Sequence, residues 1–349
     1  MGKTDILGLL PDELSDFLVS IGEPKYRGAQ LYGWLMKGRE FEEMTNLPRS
    51  LREKLSEHAE FRLPKVEKKL VSAIDGTVKY LFKLIDGECV ESVVMRYEHG
   101  ISICISSEVG CPMGCVFCAS TIGGKVRNLT ASEMLGQIIV ASRDIDERIS
   151  NVVMMGIGEP LDNYDNTIRF LKLVNEEKGL NIGYRHISLS TCGVVPMIDR
   201  LREENLPITL SISLHAAEDE ARSAIMPINR KYPLSELMTA CRRYFDDSGR
   251  RISFEYTLIR GKNDSERDAD TLIRLLKKYF TDKGKLVPLH VNLIPVNEVK
   301  ERDFSRSDKA AVEKFSGILN SKGVNATVRR RLGADINASC GQLRRESRS

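Results

Sequence analysis

The chain has 349 residues with a net charge of +3, and 42% of its residues are hydrophobic and 29% charged. This length fits one large domain with an appendage, or two domains, and the absence of about 18–20 continuous apolar residues excludes a membrane span. The N-terminus, MGKTDILGLLPDELSD, has no apolar signal region, so we expect a cytoplasmic protein. Its eight cysteines are then metal ligands, redox groups or buried residues rather than a disulfide framework.

Residues 1–62 are predicted to form a small helical domain. The stretches LGLLPDELSDFLVSIG, AQLYGWLMKG and LPRSLREKLSEHAEF carry apolar residues at helical spacing, with Gly or Pro between them. Residues 63–100 change to the strand-like alternation of KYLFKLIDG and ECVESVVMRYEHG. We interpret this second region as a strand-rich extension of the domain that follows.

From residue 101 to residue 323, strand-like and helical segments alternate. The predicted strands are ISICIS, NVVMMGIG, HISLST, ITLSISLHA, ISFEYTLI and LVPLHVNLIPV, and a helical segment follows each. Thr130 and Glu133 can form a capping box at the first helix. The alternation predicts an α/β fold with a parallel sheet, and six units predict a partial (β/α)6 barrel with its chemistry at the C-terminal strand ends. A short strand in NATVRRR and a tail complete residues 324–349.

Three cysteines lie close together in SSEVGCPMGCVFCAS, directly after the first of these strands. Cys111, Cys115 and Cys118 have the spacing C-x3-C-x2-C, so three thiolates can converge from one loop. A structural zinc site normally takes four ligands in paired C-x2-C spacing, and no second pair is nearby. Three buried structural cysteines are a further alternative, although this loop contains Gly and Pro. A [4Fe–4S] cluster held by three cysteines would keep one iron open for another ligand.

At this triad the chain resembles the radical S-adenosylmethionine (SAM) superfamily, and further blocks resemble its RlmN/Cfr branch, which methylates adenosine carbons in RNA. Those blocks are VESVVM, CISSEVGCPMGCVFCAS, GIGEPLDN, LSTCG, SISLHA, MPIN, HVNLIPVN and DINASCGQL. The resemblance implies a [4Fe–4S] cluster on Cys111, Cys115 and Cys118, with SAM on the fourth iron. It also implies reductive cleavage of SAM to a 5′-deoxyadenosyl radical.

The same resemblance implies a set of SAM-binding residues. They are Gly158, Glu159, Ser190, Ser213, Leu214, His215 and Asn297, with Asn292 as a less favoured alternative to Asn297. Without the resemblance, GIGEP fails as a dinucleotide fingerprint because Leu161 stands where the third glycine belongs. His215 alone would be interpreted as a satisfied polar residue.

Two of the other cysteines, Cys104 and Cys340, are candidates for chemistry. In ISICIS, Cys104 alternates with isoleucines and shares a strand face with two serines. Cys340 lies in a polar tail, and composition leaves function and structure equally open for both. We expect structural roles for the remaining cysteines, which are Cys89, Cys192 and Cys241.

The resemblance implies a reaction path through these cysteines. One SAM methylates Cys340, and the radical from a second SAM removes hydrogen from that methyl group. The carbon then adds to adenine C2, Glu91 accepts the C2 proton, and Cys104 attacks the Cys340 sulfur, forming a transient disulfide. Judged alone, Glu91 shares a strand face with Cys89 and Val93, where a carboxylate among apolar neighbours could accept a proton. An edge-strand acid in water is an equal alternative for Glu91.

The implied product is 2-methyladenosine, in 23S rRNA at the peptidyl-transferase centre and in tRNA beside the anticodon. A Cfr-like C8 methyltransferase, which confers antibiotic resistance, is the nearest alternative, but such chains typically have Ala where this chain has Pro160. A glycyl-radical activase would have no reason to carry DINASCGQL. A zinc-stabilised RNA-binding protein without catalysis is the alternative from a different class.

The partners are less well determined by the sequence. Basic residues that could contact RNA phosphates, or simply face solvent, are Lys25, Arg27, Lys37, Arg39, Arg329, Arg330, Arg331, Arg344, Arg345 and Arg348. We further expect a flavodoxin-type electron donor, a monomer and no membrane partner.

Overall fold

The computed structural model describes residues 2–297 and 304–338, so Cys340 lies outside the described residues. The N-terminal region is helical, as predicted. Its elements are β1 (Thr4–Asp5), α1 (Pro11–Ser20), α2 (Arg27–Met36), α3 (Arg49–His58) and β2 (Ala59–Glu60). Pro11 begins α1, where its missing N–H leaves no helical bond unmade. Leu14, Leu31 and Leu51, one from each helix, are fully buried and join the main apolar core.

Four antiparallel strands lead into the barrel. They are β3 (Lys65–Val71), β4 (Val78–Lys83), β5 (Cys89–Tyr97) and β6 (Gly100–Cys104). The sequence did not predict β3, because six of its seven residues are exposed and it lacks apolar alternation. It forms one edge of the sheet, and its three lysines suit an edge that must not pair with other chains.

A short antiparallel pair follows, made of β7 (Glu108–Gly110) and β8 (Lys125–Asn128). The sequence did not predict these strands, which are too short to show a periodic pattern. They bracket the loop that carries the three clustered cysteines.

The barrel itself alternates strands and helices as predicted. Its elements after β8 are α4 (Ala131–Ile145), β9 (Asn151–Met154), α5 (Tyr164–Asn175), β10 (Ile187–Thr191), α6 (Val195–Glu203), β11 (Thr209–Ser213), α7 (Asp219–Ile225), α8 (Leu234–Ser248), β12 (Ile252–Leu258), α9 (Glu266–Phe280), β13 (Thr281–Asp282), β14 (Lys285–Leu286), β15 (Leu289–Pro295), α10 (Lys309–Ser321) and β16 (Ala326–Val328). Strands β6, β9, β10, β11, β12, β15 and β16 pair in parallel in that order.

Within the described part of the chain, ten strands form one sheet that runs from β16 at one edge to β3 at the other. The edges do not pair, so the barrel is partial, and the predicted fold class is confirmed. Thr130 and Glu133 form the predicted capping box of α4, with Glu133 N donating to Thr130 Oγ1 at 3.2 Å. Phe254 of β12 packs edge-to-face on Phe280 of α9, which illustrates how helices bury the outer face of the sheet.

No helix in the described ranges is long and apolar enough to cross a bilayer. The predicted domain boundaries at residues 62, 100 and 323 stay predictions. The sheet itself runs without interruption across residue 100, since β5 pairs with β6.

Candidate active site

Cys111, Cys115 and Cys118 lie in one loop, and all three line a single cavity at the C-terminal ends of the barrel strands. β7 and β8 hold the ends of the loop together, and Cys111 N donates to Gly124 O at 3.2 Å. Gly110 has a φ of +82°, and a Cβ there would overlap the Gly124 carbonyl oxygen. Only glycine therefore permits this closure of the loop.

The three thiols suit a cluster better than a single ion. Across residues 2–297 and 304–338, no three His, Cys, Asp or Glu side chains are placed to hold one metal ion. A [4Fe–4S] cluster binds each thiolate through a different iron, so its ligands surround a volume instead of meeting at a point. Burial, assisted by neighbouring Cys118, raises the pKa of the Cys115 thiol to about 12. Thiolates here consequently need the positive charge that iron supplies.

The loop at residues 156–160, after β9, forms another wall of this cavity. Gly156 N donates to Ile105 O at 3.0 Å, so the loop lies directly on the chain that leads out of β6. Gly158 has a φ of +111°, and a Cβ there would lie 2.7 Å from the side chain of Glu108. The glycines therefore allow a close approach between this loop and the entrance of the cysteine loop.

Glu159 connects three segments around the cavity. Its buried carboxylate accepts hydrogen bonds from Leu161 N at 3.0 Å and from Cys192 N at 2.7 Å, and burial raises the pKa of this carboxyl. Its own main-chain nitrogen donates to Glu108 Oε2 at 2.8 Å. Glu108 in turn lies 2.7 Å from Lys125 Nζ on β8. The sequence analysis missed Glu108, although it lies in the SSEVG block just before the triad.

Ser190, Ser213 and His215, from the ends of β10 and β11, also line the cavity. The hydroxyl oxygens of the two serines lie 3.5 Å apart. His215 Nδ1 accepts a hydrogen bond from Thr257 N at 3.0 Å, which places the proton of a neutral ring on Nε2. Burial, assisted by the charge of Arg222, lowers the pKa of His215 to about 3, so the ring is a neutral hydrogen-bond donor at physiological pH.

Three predicted SAM ligands occupy different surroundings. The Leu214 side chain is fully buried in the main core, and its nitrogen donates to Glu255 O, so it does not contact the cavity. Asn297 is exposed and lines the pocket next to this cavity. Asn292, the less favoured alternative, donates to Glu255 Oε2 at 2.6 Å.

Arg222 is a buried residue that the sequence analysis missed. Its guanidinium donates to the carbonyl oxygens of Leu214, Cys192 and Ser213 at 3.0, 2.7 and 3.1 Å, and to Asn229 Oδ1 at 2.9 Å. One side chain thus ties together the segments that follow β10 and β11. The only signal in the sequence is its place in ARSAIMPIN, next to a block that carries the family resemblance.

Glu255 was also missed. It lies on β12, is 3% exposed and lines the cavity, where burial raises the pKa of its carboxyl. Ser253 Oγ donates to Glu255 Oε1 at 3.0 Å, and Asn292 binds the other oxygen. A single glutamate inside the apolar strand ISFEYTLI was the available signal, since a buried carboxylate needs partners.

A second pocket adjoins the first and shares Met155, Ile294 and Arg329 with it. Cys104 lies in this second pocket and packs against Val93 and Ala338. The sequence predicted a polar strand face for Cys104, and the structure adds an apolar cover over that part of the sheet in the form of Ala338, while arginines and asparagines line other parts of the pocket. Ala338 precedes Cys340 by two residues.

Glu91 has a partner that the sequence analysis did not foresee. The expected neighbours were apolar, yet Lys79 Nζ of β4 lies 3.0 Å from Glu91 Oε2, and both side chains are fully buried. Lys79 Nζ also donates to Asn337 O at 3.1 Å. The signal was the position of Lys79 in the alternating strand KYLFK, directly before a buried tyrosine.

The remaining predicted residues have mixed placements. Cys241 is fully buried in the main core, as predicted, whereas Cys89 is only partly buried. Cys192 is buried but lines the cavity beside Cys115. Of the basic residues, Arg329, Arg330 and Arg331 line the second pocket. Arg344, Arg345 and Arg348, like Cys340, lie outside the described residues.

Comparisons with known proteins identify the family. Residues 105–273 match the family model of the Radical SAM superfamily, and residues 4–61 match that of the Ribosomal RNA large subunit methyltransferase N-terminal domain. A probable dual-specificity RNA methyltransferase RlmN of Alkaliphilus oremlandii is 52% identical over 99% of this chain and 99% of its own. The chain belongs to the RlmN family.

Further relatives agree with this membership. A second RlmN family protein, from Clostridium botulinum strain Eklund 17B, is 53% identical over 98% of this chain and 96% of its own. The crystal structure of a radical SAM methyltransferase from Sphaerobacter thermophilus has 40% identity and a TM-score of 0.91, covering 97% of this chain and 98% of that one. As an RlmN family member the chain is a radical SAM methyltransferase that uses a [4Fe–4S] cluster and SAM. The interpretation as a zinc-stabilised binding protein without catalysis is therefore wrong.

Proposed function

We propose that this enzyme forms 2-methyladenosine in 23S rRNA at the peptidyl-transferase centre and in tRNA beside the anticodon. The name shared by its relatives, dual-specificity RNA methyltransferase, supports two RNA substrates. Pro160 supports methylation at C2 over the Cfr-like reaction at C8. One observation supports the proposal above all others. Cys104, the Lys79–Glu91 pair and the residues before Cys340 lie close together beside the cavity that the three clustered cysteines line.

In this proposal Cys111, Cys115 and Cys118 bind the cluster. SAM occupies the cavity that these cysteines line, where it contacts further lining residues, which are Gly158, Glu159, Ser190, Ser213 and His215. The Glu159 carboxylate accepts hydrogen bonds from two amides and keeps further lone pairs that could accept one from SAM. Leu214 would contribute only main-chain atoms, and Asn297 would reach SAM from the adjoining pocket.

In this proposal Cys340 carries the methyl group to the RNA. Adenine C2 is electrophilic, so it offers no nucleophile for a direct methyl transfer from SAM, and Cys340 accepts the methyl group instead. The cluster and a second SAM supply one-electron chemistry that removes a hydrogen atom from this methyl group. The sulfur-bound carbon adds to C2, and Glu91 accepts the C2 proton.

Cys104 completes the proposed reaction. The radical adduct on the RNA base would return one electron to the cluster held by Cys111, Cys115 and Cys118. The Cys104 thiolate then attacks the Cys340 sulfur, the sulfur–carbon bond breaks, and the released carbon takes up a proton. The two cysteines leave this step as a disulfide, which an external thiol reductant must reduce before the next turnover. A flavodoxin-type donor of the initiating electron, which rests on the superfamily resemblance, completes the proposal, together with a monomeric state as the default and a cytoplasmic location.

The experiment that tests this function is mass spectrometry of the Cys340 peptide from protein purified with its cluster. One added methyl group on the Cys340 sulfur is expected, and none on the peptide that carries Cys241, the core cysteine from the same digest. An unmodified Cys340 in protein that still cleaves SAM would overturn the carrier mechanism. Nucleoside analysis of the product RNA separates 2-methyladenosine from the C8 isomer.

A further inference from the structure

Residues 333–338, the segment before Cys340 that we call the chain end, contact the sheet at Lys79. Lys79 Nζ donates to the carbonyl oxygen of Asn337 at 3.1 Å and lies 3.0 Å from Glu91 Oε2. Both side chains are fully buried, and burial strengthens contacts of this kind because water does not compete for them. One ammonium group thus contacts the proposed proton acceptor and the chain three residues before the proposed methyl carrier.

Strand register explains why these groups meet. Lys79 of β4 is opposite Val93 of β5, and Val93 is opposite Cys104 of β6. Residues opposite one another on neighbouring strands point to the same face of a sheet. Lys79 and Cys104 therefore share the face that the chain end covers, and Glu91, two residues before Val93 on β5, lies on it too.

The turn between β3 and β4 holds the same chain end at a second place. Asp335 accepts hydrogen bonds from Ser72 Oγ at 2.7 Å and Ala73 N at 2.9 Å. Gly333 N donates to Asp75 Oδ2 at 2.8 Å. These contacts are made by the β3–β4 turn and not by Lys79, so they can dock the chain end without contacting Glu91.

The attraction between the two charges of a buried ion pair does not by itself offset their loss of hydration. Taking both charges out of water costs several kcal/mol, and additional hydrogen bonds must satisfy the remaining donors of the ammonium group. The carbonyl of Asn337 accepts one of those donors. Docking of the chain end and burial of the ion pair are for this reason coupled.

From this coupling we infer that Lys79 is a positioning residue for methyl transfer, which docks the carrier segment against the proton acceptor. The inference rests on the proposed function, which gives Glu91 its role as proton acceptor and Cys340 its role as methyl carrier. The contact between Lys79 and Asn337 comes from the structure alone. Lys79 is then needed for loading and delivery of the methyl group, and not for cleavage of SAM at the cluster.

Removing only one partner of the buried pair would leave the other charge uncompensated and would destabilise the fold, so both residues are made neutral in both test variants. Lys79→Gln/Glu91→Gln, which keeps a side-chain N–H donor at position 79, is compared with Lys79→Met/Glu91→Gln, which has none. Lys69→Met, compared with the wild type, is the control, because Lys69 lies on β3 and pairs with Asp144.

Two readouts apply to each of these proteins. Hydrogen–deuterium exchange is measured on the peptide that spans residues 332–338, and the methylated fraction of Cys340 is measured against 5′-deoxyadenosine formed. Loss of the donor to Asn337 O should make exchange at this peptide about fivefold faster in Lys79→Met/Glu91→Gln than in Lys79→Gln/Glu91→Gln and lower methyl loading to a similar degree. SAM cleavage should be the same in the two double variants, which a merely destabilised protein would not show, and Lys69→Met should match the wild type.

The outcomes separate this inference from the function it rests on. Equal exchange and equal methyl loading in Lys79→Gln/Glu91→Gln and in Lys79→Met/Glu91→Gln would overturn the role of Lys79 and leave the proposed function standing. Wild-type protein whose Cys340 never carries a methyl group would overturn the proposed function, while the exchange data would still decide whether Lys79 docks the chain end.

Discussion

Glu108 accepts a hydrogen bond at 2.8 Å from the main-chain nitrogen of Glu159. This bond joins the entrance of the cysteine loop to the glycine-containing loop after β9. Since Lys125 of β8 lies 2.7 Å from the other oxygen of Glu108, the same carboxylate also contacts the exit of the cysteine loop. The proposed cluster ligands and the proposed SAM loop are thereby held at a fixed separation.

Replacing Glu108 should therefore weaken SAM binding with little loss of the fold. We expect Glu108→Ala to raise the Kd for SAM roughly tenfold, because the buried Glu159 amide loses its acceptor. The measurement is equilibrium dialysis with SAM on reconstituted protein. Asp162→Ala is the control, since the Asp162 side chain contacts Lys125 and its removal leaves the bond between Glu108 and the Glu159 nitrogen in place. Equal losses in both variants would contradict the role given to Glu108.

Closure of the cysteine loop should depend on Gly110. Gly110 and Gly123 both have positive φ values, +82° and +89°, so alanine is strained by about 1–2 kcal/mol at either position. A Cβ at Gly110 overlaps the Gly124 carbonyl, whereas nothing lies within 4 Å of a Cβ at Gly123. We expect Gly110→Ala to lose most of its bound iron and Gly123→Ala to keep it, as measured by iron per chain. Iron retained by Gly110→Ala would show that the loop closes in another way.

The buried His215 should make stability pH-dependent. Because burial lowers its pKa from 6.5 to about 3, the unfolded chain binds a proton below about pH 6.5 that the folded chain refuses. Stability from this group is therefore complete above pH 6.5 and falls as the pH drops toward 3, by at most about 1.4 kcal/mol per pH unit.

His215→Asn should remove this contribution. Asparagine tolerates the left-handed backbone at φ +58°, and its Oδ1 can accept the hydrogen bond from Thr257 N. The free energy of unfolding, measured with urea between about pH 5 and 7, should rise less steeply with pH in His215→Asn than in the wild type. The difference in slope corresponds to at most one bound proton. His58→Asn, at an exposed histidine of α3, should keep the wild-type slope. An unchanged slope in His215→Asn would show that the ring is not buried as a neutral group.

Cys104 should be required for release of the RNA. Cys104→Ala is expected to accumulate a covalent protein–RNA adduct in cells, because nothing then attacks the Cys340 sulfur. Gel electrophoresis of purified protein before and after ribonuclease treatment detects the adduct. Cys241→Ala removes a core thiol and should show none, nor should Cys104→Ala/Cys340→Ala. If Cys104→Ala purifies without RNA while the wild type is active, Cys104 is not the resolving cysteine.

Several features could be read from the sequence because they depend on residues near one another in the chain. The spacing of Cys111, Cys115 and Cys118 indicated a cluster loop, and the structure places all three on one cavity. The capping box of Thr130 and Glu133 is likewise local, and six strand–helix repeats were enough to predict a partial barrel. The ordered blocks identified the family that the comparisons then confirmed.

Other features depended on contacts between distant segments. The partner of Glu91 is Lys79 because β4 and β5 pair in a register that makes the two side chains diagonal neighbours, and a shift of one residue would put Lys79 on the opposite face. The apolar contact of Cys104 with Ala338 likewise joins residues more than 230 positions apart in the chain. The sequence alone thus determined which chemical groups the protein has and where its strands and helices lie. Only the tertiary structure decided which of those groups lose water together, and that burial determines their partners and their charge.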